Sequence, residues 1–204
     1  TGTGLPSAAQ LRDGTSYYVT SAGLDNADDG GNLEAYYHVR SSTFVYDISK
    51  PSTTLAGIVH LSTVSSLSAI TGTTSDNPGN GDVTRVSART EKVQLTIQRM
   101  TDGLYYDGAA SWGAFDVNTS WLAASTTAVT ATSGTWTRSS GLPVWEHNVT
   151  YWIVARSSDQ AGNVQDAFAV NVDSKSLTFD LSVATATITN FVLDAGTSYY
   201  NVLT

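Results

Sequence analysis

Residues 149–163 read Val-Thr-Tyr-Trp-Ile-Val-Ala-Arg-Ser-Ser-Asp-Gln-Ala-Gly-Asn. Val149, Tyr151, Ile153 and Ala155 fall on one face of an extended segment, which is the period-two pattern of a half-buried strand. The run ends at Asp159, whose carboxylate can accept from backbone N–H groups two residues on. Gly162 can take φ > 0 there, and Asn163 tolerates the left-handed region. A strand feeding a tight turn is thus the unit to look for elsewhere. Val93, Leu95 and Ile97 alternate with Gln94, Thr96 and Gln98, and Phe168, Val170 and Val172 repeat the pattern over 167–172. Turn clusters separate these runs: residues 76–82, Asp102-Gly103, Asp107-Gly108, Ser139-Ser140-Gly141 and 159–163. Many short strands at such spacing predict an all-β sandwich or barrel of antiparallel sheets.

Composition agrees. The 204 residues are rich in Thr, Ser, Val, Ala and Gly, and the best helix candidate, Val117 to Ala124, is short and β-branched. With 41% hydrophobic residues, a core is affordable. No apolar run is long enough to span a bilayer as a helix, so membrane insertion is not expected. The net charge is −8, with 10 Lys+Arg against 18 Asp+Glu, which speaks against a nucleic-acid partner. The absence of Cys excludes disulfides, zinc thiolate sites and Cys nucleophiles. Starting at Thr1 rather than Met, the chain is expected to be a mature product or a fragment.

The sequence also repeats itself. Tyr17-Tyr18-Val19 reaches Asp25 eight residues after Tyr17, as Tyr151-Trp152-Ile153 reaches Asp159. Gly31-Asn32 follows in the first copy and Gly162-Asn163 in the second, with three extra residues in the first turn. Phe44-Val45-Tyr46-Asp47 then matches Leu177-Thr178-Phe179-Asp180 at an offset of 133, and the register continues with Leu55 on Ile188 and Val59 on Val192. A repeat of about 130 residues divides the chain into 1–50, the last strands of one copy, 51–180, a complete copy, and 181–204, the opening strands of the next. Half-copies cannot cover their own apolar faces and need a neighbour.

Candidate site residues are few. Asp25, Asp28 and Asp29, beside Gly30, Gly31, Asn32 and Glu34, form an oxygen-rich loop of the kind that suits Ca²⁺, and Asp159 offers a smaller version. EF-hand spacing fails, because Ala27 occupies the third position from Asp25, and a structural turn competes with a cation site in each loop. The loop from Asp76 to Asp82 has the same two readings. Trp112, Trp121, Tyr105 and Tyr106 could stack on sugar rings, while Trp136 and Trp152 read as core residues. His38, His60 and His147 are scattered, and no Gly-x-Ser-x-Gly, His-Glu-x-x-His or phosphate loop occurs, so no enzyme is expected and no catalytic residue is assigned.

The stretches ITGTTSDNPGNGDVTRVSARTEKVQLTIQR, GLYYDGAASWGAF, SGTWTRSS and VTYWIVARSSDQAGNVQ together resemble a bacterial immunoglobulin-like repeat of very large surface proteins. Ile70-Thr71-Gly72-Thr73 leads to Asp76, a Tyr-rich Asp-Gly hairpin follows, then a Trp strand, then the Tyr strand ending in Asp-x-x-Gly-Asn. The resemblance implies an immunoglobulin-like β-sandwich with partial copies at both termini, and Tyr151 resembles the corner tyrosine of such sandwiches. One departure is that Asp13-Gly14 of the first copy reads Glu146-His147 in the second; another is that Pro51 has become Ala184. The role implied is a structural repeat in an extracellular fibre, filament or adhesin-type cell-surface array, its partners being copies of itself joined head to tail. The alternative is an adhesive module that binds cell-surface glycans through exposed Trp and Tyr.

Overall fold

In the computed structural model of the chain, the structure describes residue 4 and residues 6–27, 30–35, 41–77, 87, 89–127 and 133–187. The fold is nearly all-β, and among the described residues there is no α-helix, only a 3₁₀ turn at Ala8–Gln10. The strands are β1 (Thr15–Val19), β2 (Ser42–Tyr46), β3 (Ser52–Ala56), β4 (Ser62–Val64), β5 (Ile70–Ser75), β6 (Thr90–Arg99), β7 (Tyr105–Tyr106), β8 (Trp112–Gly113), β9 (Leu122–Ala123), β10 (Ser125–Thr127), β11 (Ser133–Arg138), β12 (Thr150–Asp159) and β13 (Ser174–Phe179).

They build three sheets. One is the antiparallel pair β1-β2, a second runs β10-β11-β5-β3, and the third runs β4-β13-β12-β6-β7-β8 with β9 also on β6. The two larger sheets share one core: Leu55, Ile70 and Trp136 from one meet Val93, Leu95, Ile97, Tyr151, Ile153, Ala155, Leu177 and Phe179 from the other. That is a β-sandwich. The alternation read from β6 and β12 holds, with Val93, Leu95, Ile97, Tyr151, Ile153 and Ala155 all fully buried.

Two local features explain sequence choices. Gly72 pairs with Leu55 on one side and Trp136 on the other, and the indole lies across it. A Cβ there would come within 1.8 Å of the Thr54 carbonyl oxygen and 2.5 Å of the indole, so only glycine fits. Trp136 Nε1 donates to Thr53 Oγ1 at 2.9 Å, which satisfies its polar atom inside the core. Gly57, at φ 74°, lets the chain leave β3 in one sheet and reach β4, which runs parallel to β13 in the other.

The short helix candidate and one strand reading resolve differently. Val117 to Ala124 is no helix, as its composition implied. The Asp116 carboxylate and carbonyl collect the amides of Asn118, Thr119 and Ser120 in a turn, after which β9 pairs with β6. Its β-branched residues lack an apolar stripe that could hold a helix to the core. The strand expected over residues 167–172 gives way: they are not a ladder strand. The segment curls around Asp173, which accepts from the Ala169 amide at 2.7 Å, and Asn171 sits at φ 66°. Phe168, Val170 and Val172 are consequently exposed. Local capping has overridden a period-two pattern.

Candidate functional site

The pair β1-β2 has the register of β12-β13. Tyr17 faces Phe44 as Tyr151 faces Leu177, and Tyr18 faces Thr43 as Trp152 faces Ser176. The hydrogen bonds recur with it. The Arg12 amide donates to Tyr17 Oη at 2.7 Å, and the Glu146 amide donates to Tyr151 Oη at 3.1 Å, each five residues upstream. The Gly14 amide donates to the Tyr46 carbonyl as the Asn148 amide donates to the Phe179 carbonyl. Gly14 and Asn148 share φ near +60°, so the counterpart of Asp13-Gly14 is His147-Asn148 rather than Glu146-His147, with Asn supplying the left-handed conformation.

The turns match as well. Asn163 donates its amide and its Nδ2 to the two oxygens of Asp159, both at 2.8 Å, and Asn32 does the same to Asp25 at 2.6 and 2.8 Å. The hydrogen bonds of Asn32, with that of the Ala27 amide, hold the Asp25 carboxyl below the usual carboxylate range. Asp25 is exposed, and both its oxygens serve its own turn; Asp28 and Asp29 lie outside the described residues.

The acidic residues that do converge come from three strand ends. Asp47 follows β2, Asp76 follows β5 and Asp159 closes β12. All three are buried, and each offers a carboxylate oxygen within 4.8 Å of the others, a set that could hold a metal ion. Asp47 Oδ1 accepts from the Ser49 amide at 3.0 Å, and Asp76 Oδ2 accepts from the Ser87 hydroxyl at 2.6 Å. Asp76 Oδ1 is buried with no hydrogen-bond partner among the described residues. Burial pushes the Asp76 carboxyl above the usual carboxylate range; the Ser87 hydroxyl and the Arg89 amide work against it, and the neighbouring charges of Asp159 and Asp13 add to the rise.

This cluster sits where residues 1–50 join the sandwich. Asn163 Nδ2 also donates to the Asp47 carbonyl at 3.0 Å, Lys50 forms an ion pair with Asp166, and Asp13 accepts from the Ile48 amide and the Ser49 hydroxyl. Asp159 was legible as a candidate ligand and Asp76 as an ambiguous turn residue. Asp47 was missed, although its recurrence as Asp180 at the same strand end was the available signal.

The aromatic candidates do not form one platform. Tyr106 is a core residue, its hydroxyl donating to the Leu142 carbonyl and accepting from the Ala110 amide, so its ring offers no face to a sugar. Trp112 tilts against Tyr106 and Tyr151 with the Arg99 guanidinium 4.5 Å from its centroid. Tyr105 packs edge-on to Phe115. Trp121 lies elsewhere, between Phe168 and the Arg156 guanidinium at 3.8 Å. Trp136 is in the core as expected, whereas Trp152 is only partly buried and packs edge-on to His60.

No family model matches the chain, and no curated protein matches it.

Proposed function

We propose that the chain is a structural unit of a tandem array of immunoglobulin-like sandwiches, built to continue into an equivalent neighbour. The observation that carries this reading is a mismatch between register and burial. Val19 and Phe44 stand at the places of Ile153 and Leu177, yet Val19 is 53% and Phe44 42% exposed while Ile153 is 0% and Leu177 1%. Core-type side chains on a strand pair that no second sheet covers among the described residues have the form of an unfinished sandwich. A two-stranded sheet is marginal in water by itself, and bare apolar strand faces are interaction surfaces.

The occupant with the right shape is the part of the fold that covers β12 and β13 in the complete sandwich, supplied by another copy of the unit. It comes either from the same longer polypeptide or from a second chain. A spacing or load-bearing role outside the cell, as in a fibre or surface array, follows from such continuity. The acidic, Thr- and Ser-rich, cysteine-free composition suits that setting. The resemblance to bacterial surface repeats points the same way. A glycan-binding role has less support, because the four aromatic candidates are divided between the core and separate sites.

Sedimentation of the purified chain over a wide concentration range tests the reading. Association that disappears in Phe44→Glu supports joining through the bare face of β1-β2. A monomer at every concentration whose β1 and β2 amides exchange as slowly as those of β12 and β13 overturns it. A monomer with rapidly exchanging β1 and β2 assigns completion to the parent polypeptide.

A further inference from the structure

We infer that Asp47, Asp76 and Asp159 form a binding site for one calcium ion that fastens the segment after β2 to the end of the sandwich. Three buried carboxylates this close together are costly unless something positive lies among them. Calcium takes oxygen ligands at about 2.3–2.6 Å, so two ligands of one ion are at most about 5 Å apart. The spacing of the three aspartates, with an oxygen of each within 4.8 Å of the others, meets that limit.

The unpaired oxygen is the independent sign. Asp76 has no solvent exposure, its Oδ2 is occupied by the Ser87 hydroxyl, and its Oδ1 meets no donor among the described residues. Buried carboxylate oxygens are normally satisfied. Asp47 and Asp159, of the same sign, each bring a carboxylate oxygen within 4.8 Å of an Asp76 oxygen. A hard divalent cation answers the missing partner of Asp76 Oδ1 and draws the three carboxylates together. Calcium, which tolerates irregular geometry and completes its shell with carbonyls or water, suits this set better than magnesium, which demands a near-ideal octahedron.

The surrounding bonds prepare the ligands. Asn163 fixes both oxygens of Asp159 and also grips the Asp47 carbonyl, so the turn after β12 and the linker are already in register. An ion bound here would tie together three segments that are distant in sequence, and would stiffen the junction on which the repeat-array reading rests. Asp180 repeats the position of Asp47 down to the hydrogen bond, accepting from the Ser182 amide at 2.9 Å as Asp47 accepts from that of Ser49. One of the three ligands thus recurs at the end of the complete copy.

The test uses the whole chain, stripped with chelator and titrated with CaCl₂ by calorimetry and thermal melting. One ion per chain is expected, with the melting temperature raised by roughly 5–10 °C at free calcium a hundredfold above the Kd. Asp76→Asn keeps an oxygen for Ser87 and removes the charge. It should weaken binding at least tenfold and abolish the calcium-induced rise, with the calcium-free melting temperature no lower than wild type. Asp47→Asn alters the same site from the linker, without touching the sandwich core, and should do likewise. Glu91→Gln, an exposed acid on β6, should change nothing. No rise at millimolar calcium overturns the assignment, as does a rise retained in both aspartate variants, and an equal rise with magnesium overturns the choice of calcium. Sedimentation of the same samples separates this site from the array reading, since a strictly monomeric chain that binds calcium leaves the site standing.

Discussion

At the scale of single residues, the sandwich depends on a few positions where only one side chain satisfies the geometry. Gly72 is the sharpest case. With the Thr54 carbonyl on one side and the indole of Trp136 on the other, a methyl group forces both sheet partners apart. Gly72→Ala should lower unfolding stability by about 3 kcal/mol, read from urea denaturation. The corner hydroxyl is a smaller lever. Tyr151→Phe leaves the Glu146 amide without its acceptor and should cost about 1 kcal/mol by the same measurement.

Acid sensitivity is set at this scale too. The Arg99 hydrogen bonds, with the Leu104 amide, hold Asp102 below the usual carboxylate range, and the Ala109 and Ser111 amides do the same for Asp107. A carboxyl lowered in the folded state stabilises fully above its unfolded value of about 3.9, and the contribution is lost as pH falls through the lowered value. Melting temperature should therefore fall below about pH 4. In Asp102→Asn part of that acid dependence should be missing and neutral-pH stability reduced. An unchanged pH profile in this variant would count against the Arg99–Asp102 contact as its source.

At the scale of elements, the strands that were legible are those whose burial decides their pattern. β6 and β12 lie in the middle of the larger sheet with one face in the core, so period two is imposed on their sequence. The recurrence of β1-β2 as β12-β13 was legible from Tyr17, Asp25 and Phe44 because turn and corner residues sit at fixed distances from the strands they end. What could not be read depends on contacts remote in sequence. Residues 167–172 alternate like a strand, yet Asp173 captures the Ala169 amide and bends them away. The switch of the chain from β3 to β4 rests on one glycine φ angle, and the pairing of β4 with β13 is parallel and long-range. The candidate site was half visible for the same reason. Asp159 announces itself through its Gly-Asn turn, but Asp47 and Asp76 join it only because three strand ends meet. The element-level expectation is that the Asp25 turn, held by the Asn32 hydrogen bonds, contributes less than the Asp159 turn. Asn163→Ala should destabilise the chain more than Asn32→Ala in thermal melts, because Asn163 alone also holds the Asp47 carbonyl.

For the whole molecule, a sandwich carries beside it a strand pair, β1-β2, with the register of its own β12-β13, and among the described residues no second sheet covers that pair. On the proposed reading such a chain lengthens by repetition, and the described junction lies where three acidic strand ends converge. The absence of Cys makes the decisive measurement clean: native-state thiol labelling of Val19→Cys and, separately, of its buried counterpart Ile153→Cys, in dilute solution with the mass followed by sedimentation. The account predicts that Cys substituted at 19 reacts at close to the rate of an open peptide, and at 153 at least a thousandfold more slowly, with protection at 19 appearing only when copies associate. Equal protection at both positions in a chain that sediments as a monomer would contradict it.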